Sequence, residues 1–599
     1  MKWSLVAIVL FFLTCCSSYA KQLEILYVDA NVGAAAGGHV GLKLENDVFH
    51  YQFYPDDRFL LVRESWDYFR LIYNRLRNRT IYAARCPISD EAFTRIKNHF
   101  TTLLASQKID FSNRRFLSDQ KTLITGFRSG SLELSVQGLG FFTENGGEIE
   151  SSATLRSSLY EILGQAYLRE RQEAITGKLN DCFTALLKDD YSGGALITKV
   201  QEISDLKKKQ AALDNITDGK GLLKSALVDG LRDKLSREAQ DNLKRYLNRR
   251  LEILAHLLAS DRRDTGEAIL IETARCLTLI ESLKRGTLVT LDPYPEKATR
   301  KQLDLGDKGM QRYLKVLSEI LKRQCSLLLQ TEVNDVGAET DYRYLQIENV
   351  NGRLAEIDGA LKEDRGIRVS PDMMLPSRSR TVRVNVPILK DEVLDTALIL
   401  VENDISSLKQ DFDKKYRYAL IDRNCVNELL KNMNSSFSGK AEAEAVLGDW
   451  IDPVADRVVI PNNFFYQVST RYHVNHVTRY PSRRIAQVEA MKEQGDTLAV
   501  WFQEGNTLGT TVYTKRLEDT PFLFFTDDVK WARPVLGFAN LVWSAAYGLA
   551  GVVTLPVKGG EPVHQAVRGM FYSLPELVFF NIRKGTYLHD AINEGGHEL

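Results

Sequence analysis

A block of long charged helices, from about Ser151 to Glu363, splits this 599-residue chain between two stretches that carry strand signals. Apolar residues recur at helix spacing through Leu155 to Lys188, Thr198 to Asp214, Leu231 to Ser260, Thr265 to Arg285, Lys308 to Thr331 and Tyr342 to Lys362. Turn signals such as Asp218-Gly219 and Asp292-Pro293-Tyr294-Pro295 separate some of them. No fixed period marks a solenoid. The charged faces read as solvated helix surfaces, with a partner-binding platform as the sharper alternative. Lys207-Lys208-Lys209 is too short a basic run to argue for a polyanion site.

The flanking stretches read differently. Leu23 to Val28 and Val40 to Leu44 alternate, and Asn46-Asp47 reads as a hairpin turn into Val48 to Tyr54. Asn31 to Gly38 is a loop of mostly small residues, Trp66 to Leu76 a short helix and Thr80 to Ala84 a further strand. Ser89 to Leu104 carries Phe93, Ile96, Phe100 and Leu104 at helix spacing. Strand signals return at Arg380 to Val386, followed by helices from Lys390 to Phe412 and from Cys425 onward. The expected fold class is α+β, with a sheet-plus-helix core interrupted by a large all-α insertion. The expected divisions are 21–150 and 366–480 for the two core halves, 151–365 for the insertion, and 481–599 for a C-terminal region. This length calls for two to four structural units. Acidic and basic residues balance at 78 each, which argues against nucleic acid as a partner.

The first twenty residues, 1–20, read as a secretory signal peptide. Lys2 supplies the positive end, Leu5 to Leu13 a short apolar run, and Ser18-Tyr19-Ala20 a cleavage site before Lys21. The expectation is an exported, periplasmic protein, with lipidation at the Cys15-Cys16 pair as the alternative. Cys86, Cys182, Cys276, Cys325 and Cys425 then remain, odd in number and far apart. They form neither a disulfide framework nor a zinc ribbon. Cys182, Cys276 and Cys325 sit in helical apolar patterns and read as buried hydrophobes.

Cys425 is different. It follows Asp422-Arg423-Asn424 and opens an apolar helix, while Gly38-His39 and Phe49-His50 lie on strands far upstream. A helix N-terminus and a nearby imidazole both lower a thiol's pKa, and the thiolate is the nucleophile. A hairpin at Asn46-Asp47 would put His39 and His50 on one face. Cys425 is then the candidate nucleophile, His39 the base and His50 the group orienting it. Asn424 is a supporting residue, and the Cys425 backbone N–H a candidate oxyanion donor. A structural histidine and an inert thiol are the plain alternatives for each part alone. His473-x-x-His476 would form a metal pair only on a helix, and its neighbours read as strand or loop. No cofactor and no metal are expected.

The order Gly38-His39, His50, Asn424-Cys425 resembles the circularly permuted, lecithin:retinol acyltransferase-like branch of the NlpC/P60 papain-like superfamily. Gly38-His39 and Arg423-Asn424-Cys425 also resemble the two signatures of the Lnb N-terminal periplasmic domain family of bacterial proteins, and Arg568 to Lys584 its C-terminal signature. The likeness covers residues 22–110, 370–440 and the C-terminal tail, not the helical insertion. It implies base, orienting and nucleophile roles for His39, His50 and Cys425. It also implies a permuted papain-like core and acyl chemistry on amide or ester bonds of cell-envelope peptides or lipids, without fixing a substrate.

Near the C-terminus, Val535 to Val557 has no charged residue and is long enough to cross a bilayer. A membrane span, an interfacial hairpin and a buried soluble helix all remain open there. The aromatic-rich run Gly569 to Phe580 lies between Arg568 and Arg583-Lys584, as suits a lipid–water interface or a packing segment. The expected function is a cysteine hydrolase or acyltransferase working through a thioacyl intermediate. The alternatives are a non-catalytic envelope scaffold, with a protein partner on the insertion, and a lipid-binding protein using the apolar tail.

Overall fold

The computed structural model describes residues 21–29, 38–54, 57–144, 150–188, 192–262, 265–294, 298, 300–301, 308–331, 338–368, 374–456, 458–513, 515, 519–527, 529–555, 560–578, 582 and 584–585. The expected signal peptide and most of the small-residue loop after it lie outside the described residues.

Five strands come first among the described residues: β1 (Lys21–Val28), β2 (His39–Leu44), β3 (Asp47–Phe53), β4 (Phe59–Ser65) and β5 (Ile81–Ile88). A helical turn at Trp66–Phe69 and a wider π-helical turn at Arg70–Leu76 connect β4 to β5. Helix α1 (Asp90–Gly126) follows, then β6 (Ser131–Gln137). Seven long helices come next: α2 (Glu150–Leu163), α3 (Tyr167–Lys188), α4 (Gly193–Thr217), α5 (Arg237–Ala259), α6 (Gly266–Arg285), α7 (Lys308–Gln330) and α8 (Ala338–Glu363). The chain continues through β7 (Ser379–Asn385), α9 (Asp391–Tyr416), α10 (Cys425–Asn434), α11 (Lys440–Leu447), α12 (Pro461–Arg471) and β8 (His476–Tyr480). It closes with α13 (Arg483–Gln494), α14 (Thr497–Glu504), α15 (Arg533–Val553) and α16 (Glu561–Ser573). The protein is therefore a mixed α+β molecule with one large antiparallel sheet and many helices.

The chain falls into two units, 1–108 with 413–598, and 109–412. The divisions lie inside α1 and α9 rather than near 150 and 365. Both helices run on past the points where composition changes, so composition does not mark the boundaries. The first unit holds a six-stranded antiparallel sheet in the order β8-β5-β1-β2-β3-β4. Helix α10 presents Val426, Leu429, Leu430 and Met433 to Val40, Leu42, Leu44 and Phe49 of β2 and β3. That spacing of three and four residues is one helix face, and it clamps the N-terminus of α10 over the start of β2.

The second unit is the helical block with its own core, from Leu123 through Leu155, Leu196, Leu254 and Leu270 to Val401. It is not all-α. β6 pairs antiparallel with β7 there, so the strand expected to begin the second core half belongs to the helical unit. The single helix expected over Leu155 to Lys188 is two helices, broken at Gly164 with φ +95°, a left-handed conformation that glycine tolerates best.

Candidate functional site

Strand register brings the two histidines together. Gly41 pairs with His50 across β2 and β3, and Val48 pairs with Glu64 across β3 and β4. Side chains alternate along a strand, so His39, His50 and Glu64 share one face. His39 Nε2 lies 3.0 Å from His50 Nδ1, and His50 Nε2 lies 3.5 Å from Glu64 Oε2. His50 and Glu64 are buried. The π-helical turn supplies the wall: Tyr73 stacks on the His39 ring at 5.4 Å and Phe69 meets His50 edge-on at 5.1 Å. Gly38, just before His39, holds φ +97°, and a Cβ there would lie 2.6 Å from the Tyr27 ring and 2.7 Å from Val28 O. Only glycine fits that approach.

Glu64 was not among the residues singled out from sequence. Phe59 to Val62 is a continuous apolar run without alternation, which hides the strand. The readable signal was a carboxylate two residues beyond Val62, on the same face of that run. His50 Nε2 and Glu64 Oε2 face each other without a formed hydrogen bond, and a proton on His50 Nε2 is the tautomer that suits the carboxylate opposite it. His50 Nδ1 then accepts, His39 donates from Nε2, and His39 Nδ1 keeps its lone pair. This tautomer assignment follows from the hydrogen-bond network. Burial pushes the His39 imidazole well below its ordinary pKa, and His50, Arg79 and Arg77 push it the same way. Arg79 is itself buried, donating from Nε to Asp29 O at 2.5 Å and lying over the Tyr73 ring.

The cysteine half arrives at the same strand. Cys425 is half-buried at the start of α10, with the backbone N–H of Val40, next in the chain to His39, near its sulfur. Among the described residues no hydrogen bond joins that sulfur to His39. Val40 and Leu42 face α10, whereas His39 is the first residue of β2, at the strand end that the α10 N-terminus reaches. The expected lowering of the thiol pKa is also reversed. Burial pushes the Cys425 thiol up to about 11, outweighing the backbone N–H groups of Val40, Cys425 and Val426 and the more distant Arg79. A helix N-terminus lowers a thiol's pKa only while desolvation does not dominate. At neutral pH the arrangement is thus a neutral thiol near a neutral imidazole, not a preformed ion pair.

Asn424 serves the helix. Its Oδ1 accepts from Val426 N at 2.9 Å and Asn427 N at 3.0 Å, and its Nδ2 donates to Leu420 O at 2.8 Å and Val459 O at 3.0 Å. This is an N-cap. Its amide donors are committed to carbonyls, so its support is structural rather than an oxyanion contact. An open groove lined by Asp413, Arg417, Tyr418, Ala419, Asp422 and Arg423 precedes the helix. Phe53, Leu420 and Ile421 are exposed close by in the chain or against it, Phe53 meeting Tyr418 edge-on.

No family model, no curated protein and no solved structure matches this chain. The site is accordingly read from its own atoms. His473 lies in a loop and His476 opens β8, so the pair does not share a helix face. Among the described residues no three His, Cys, Asp or Glu side chains gather as a metal site.

Proposed function

We propose that the protein is a cysteine hydrolase or acyltransferase acting on ester or amide bonds, with Cys425 as nucleophile. The observation that carries this reading is the convergence of the α10 N-terminus on the strand that begins with His39, backed by the His39–His50–Glu64 chain. The resemblance to the permuted NlpC/P60 branch and to the Lnb N-terminal periplasmic domain family supports it in the same terms, with envelope peptides or lipids as the substrate class. In the reaction, His39 Nδ1 takes the thiol proton as Sγ attacks the carbonyl carbon. The N–H groups of Cys425 and Val40 donate to the oxyanion. Collapse breaks the bond to the leaving group, which takes the proton from His39. Water or a second acceptor then cleaves the thioester and restores the thiol. The resting sulfur lacks a hydrogen bond to His39, so the dyad must tighten when substrate binds, as loose apo sites do.

A second reading, a non-catalytic scaffold, is favoured by the raised thiol pKa. Short- and medium-chain p-nitrophenyl esters separate the two. Wild-type protein is expected to release nitrophenol and to carry a hydroxylamine-sensitive acyl group on Cys425. Cys425→Ala should lose both with its circular dichroism unchanged. Full turnover by Cys425→Ala, or no acyl adduct on wild type with any ester, removes the enzyme reading.

A further inference from the structure

Helix α15 has its polarity inside out. Its buried residues are Arg533, Gly537, Asn540, Ser544 and Gly551. At about 100° per residue these fall in one stripe about 60° wide. The rest of its surface is apolar: Val535 is 73% exposed, Phe538 60%, Leu549 73% and Val553 81%, whereas Asn540 and Ser544 are 0% exposed. This overturns the buried soluble helix left open for the segment.

The buried stripe is fully occupied. Asn540 Oδ1 accepts from Leu523 N at 2.9 Å and Phe524 N at 2.8 Å, and Ser544 Oγ donates to Pro521 O at 2.7 Å. Arg533 donates to Thr526 O, and Thr526 and Lys584 bond the buried Glu576 carboxylate. Irregular backbone and ionic groups are thereby enclosed by protein. Helix α16 packs along the same side through small residues: a Cβ on Gly548 would lie 3.0 Å from Ala566, one on Gly551 3.1 Å from Pro562, and one on Gly569 2.7 Å from Ser544 Oγ. On α15, polar groups and small residues inside with apolar residues outside is the arrangement that a hydrocarbon solvent selects.

We propose that helix α15 is inserted in a lipid bilayer as a spanning helix, with α16, whose Glu561 and His564 are exposed, packed along its polar side. The 21 residues of α15 extend about 31 Å at about 1.5 Å per residue, against a hydrocarbon core of about 30 Å. No charged residue lies between Arg533 and Lys558. Trp531, 82% exposed, stands just before the N-terminal end, where interfacial tryptophans gather. A second copy or a protein partner would cover one side of the helix. Apart from Tyr547, which meets the Lys515 ammonium at 5.1 Å, the α15 surface that α16 and the 520–527 segment leave open is apolar, and an encircling apolar surface fits lipid better than a partner that covers one side. The inference stands independently of the thiol chemistry.

The test uses full-length protein purified in mild detergent and mixed with phosphatidylethanolamine–phosphatidylglycerol vesicles. The detergent is then removed, and the sample is floated through a density gradient at high salt. Wild type is expected to float, and brominated lipids should quench its tryptophan fluorescence, with at least a twofold loss of that quenching in Trp543→Phe. Phe538→Asp with Leu549→Asp should shift most of the protein to the bottom fraction. Wild type remaining at the bottom, fluorescence indifferent to brominated lipid, or a detergent-free dimer that Phe538→Asp splits would each overturn the proposal.

Discussion

Cys425 is the one partly exposed cysteine among the described residues, while Cys86, Cys182, Cys276 and Cys325 are buried. The Cys86 and Cys325 thiols are pushed up to about 12 by burial. Iodoacetamide attacks the thiolate. At a thiol raised to about 11, the thiolate fraction grows about tenfold per pH unit from neutrality until the pH nears that value. Alkylation of Cys425, followed by peptide mass spectrometry, should therefore climb without a plateau between pH 7 and pH 10. A plateau below pH 8 would mean that the resting thiol is ionised by a partner, contrary to this geometry. Sequence marked Cys425 correctly as the unusual cysteine, because its polar turn and helix start are local. The balance between burial and backbone amides is not local, and it went the other way.

Strand register decides what the histidines do. Because β4 pairs with β3 so that Glu64 is diagonal to His50, the carboxylate reaches the ring that touches His39. Glu64→Gln keeps the shape but offers His50 an amide in place of a carboxylate. The prediction is a fall in kcat of about 100-fold with KM nearly constant, in line with loss of general-base help, and an altered pH profile. Those values come from steady-state ester kinetics, and a Glu64→Gln enzyme with wild-type kcat would discard the relay. The hairpin of β2 and β3 was readable from its alternation. The β4 strand was not, since a run of consecutive apolar residues buried on both faces lacks that period.

At the level of the whole molecule, each unit carries its own core, and the helical one is tied by buried ions. Arg275 on α6 donates to Glu348 on α8 at 2.7 Å and to Glu272 at 2.8 Å, and Arg250 on α5 lies 3.3 Å from Glu272. Glu348 is 0% exposed. Removing it strands Arg275 away from water, so Glu348→Ala should lower stability by about 3 kcal/mol. Urea unfolding would measure this, and a loss under 1 kcal/mol would show that water or Glu272 takes over the arginine. The six helices read from periodicity all exist, with α2 and α3 sharing one of the expected spans. Their ends moved where a turn such as Gly164 intervened.

The sequence by itself determined the mixed α+β class, the interrupted order of strand and helix, the helix start at Cys425 and the shared face of His39 and His50. These depend on neighbours within a few residues or on one hairpin. Tertiary structure alone decided that the α10 N-terminus reaches β2, that Glu64 completes the polar chain, that the thiol is desolvated, and that α15 turns its apolar side outward. Each of those is set by which distant surfaces exclude water from one another, and periodicity along a chain carries the side chain's phase but not the surface it will meet.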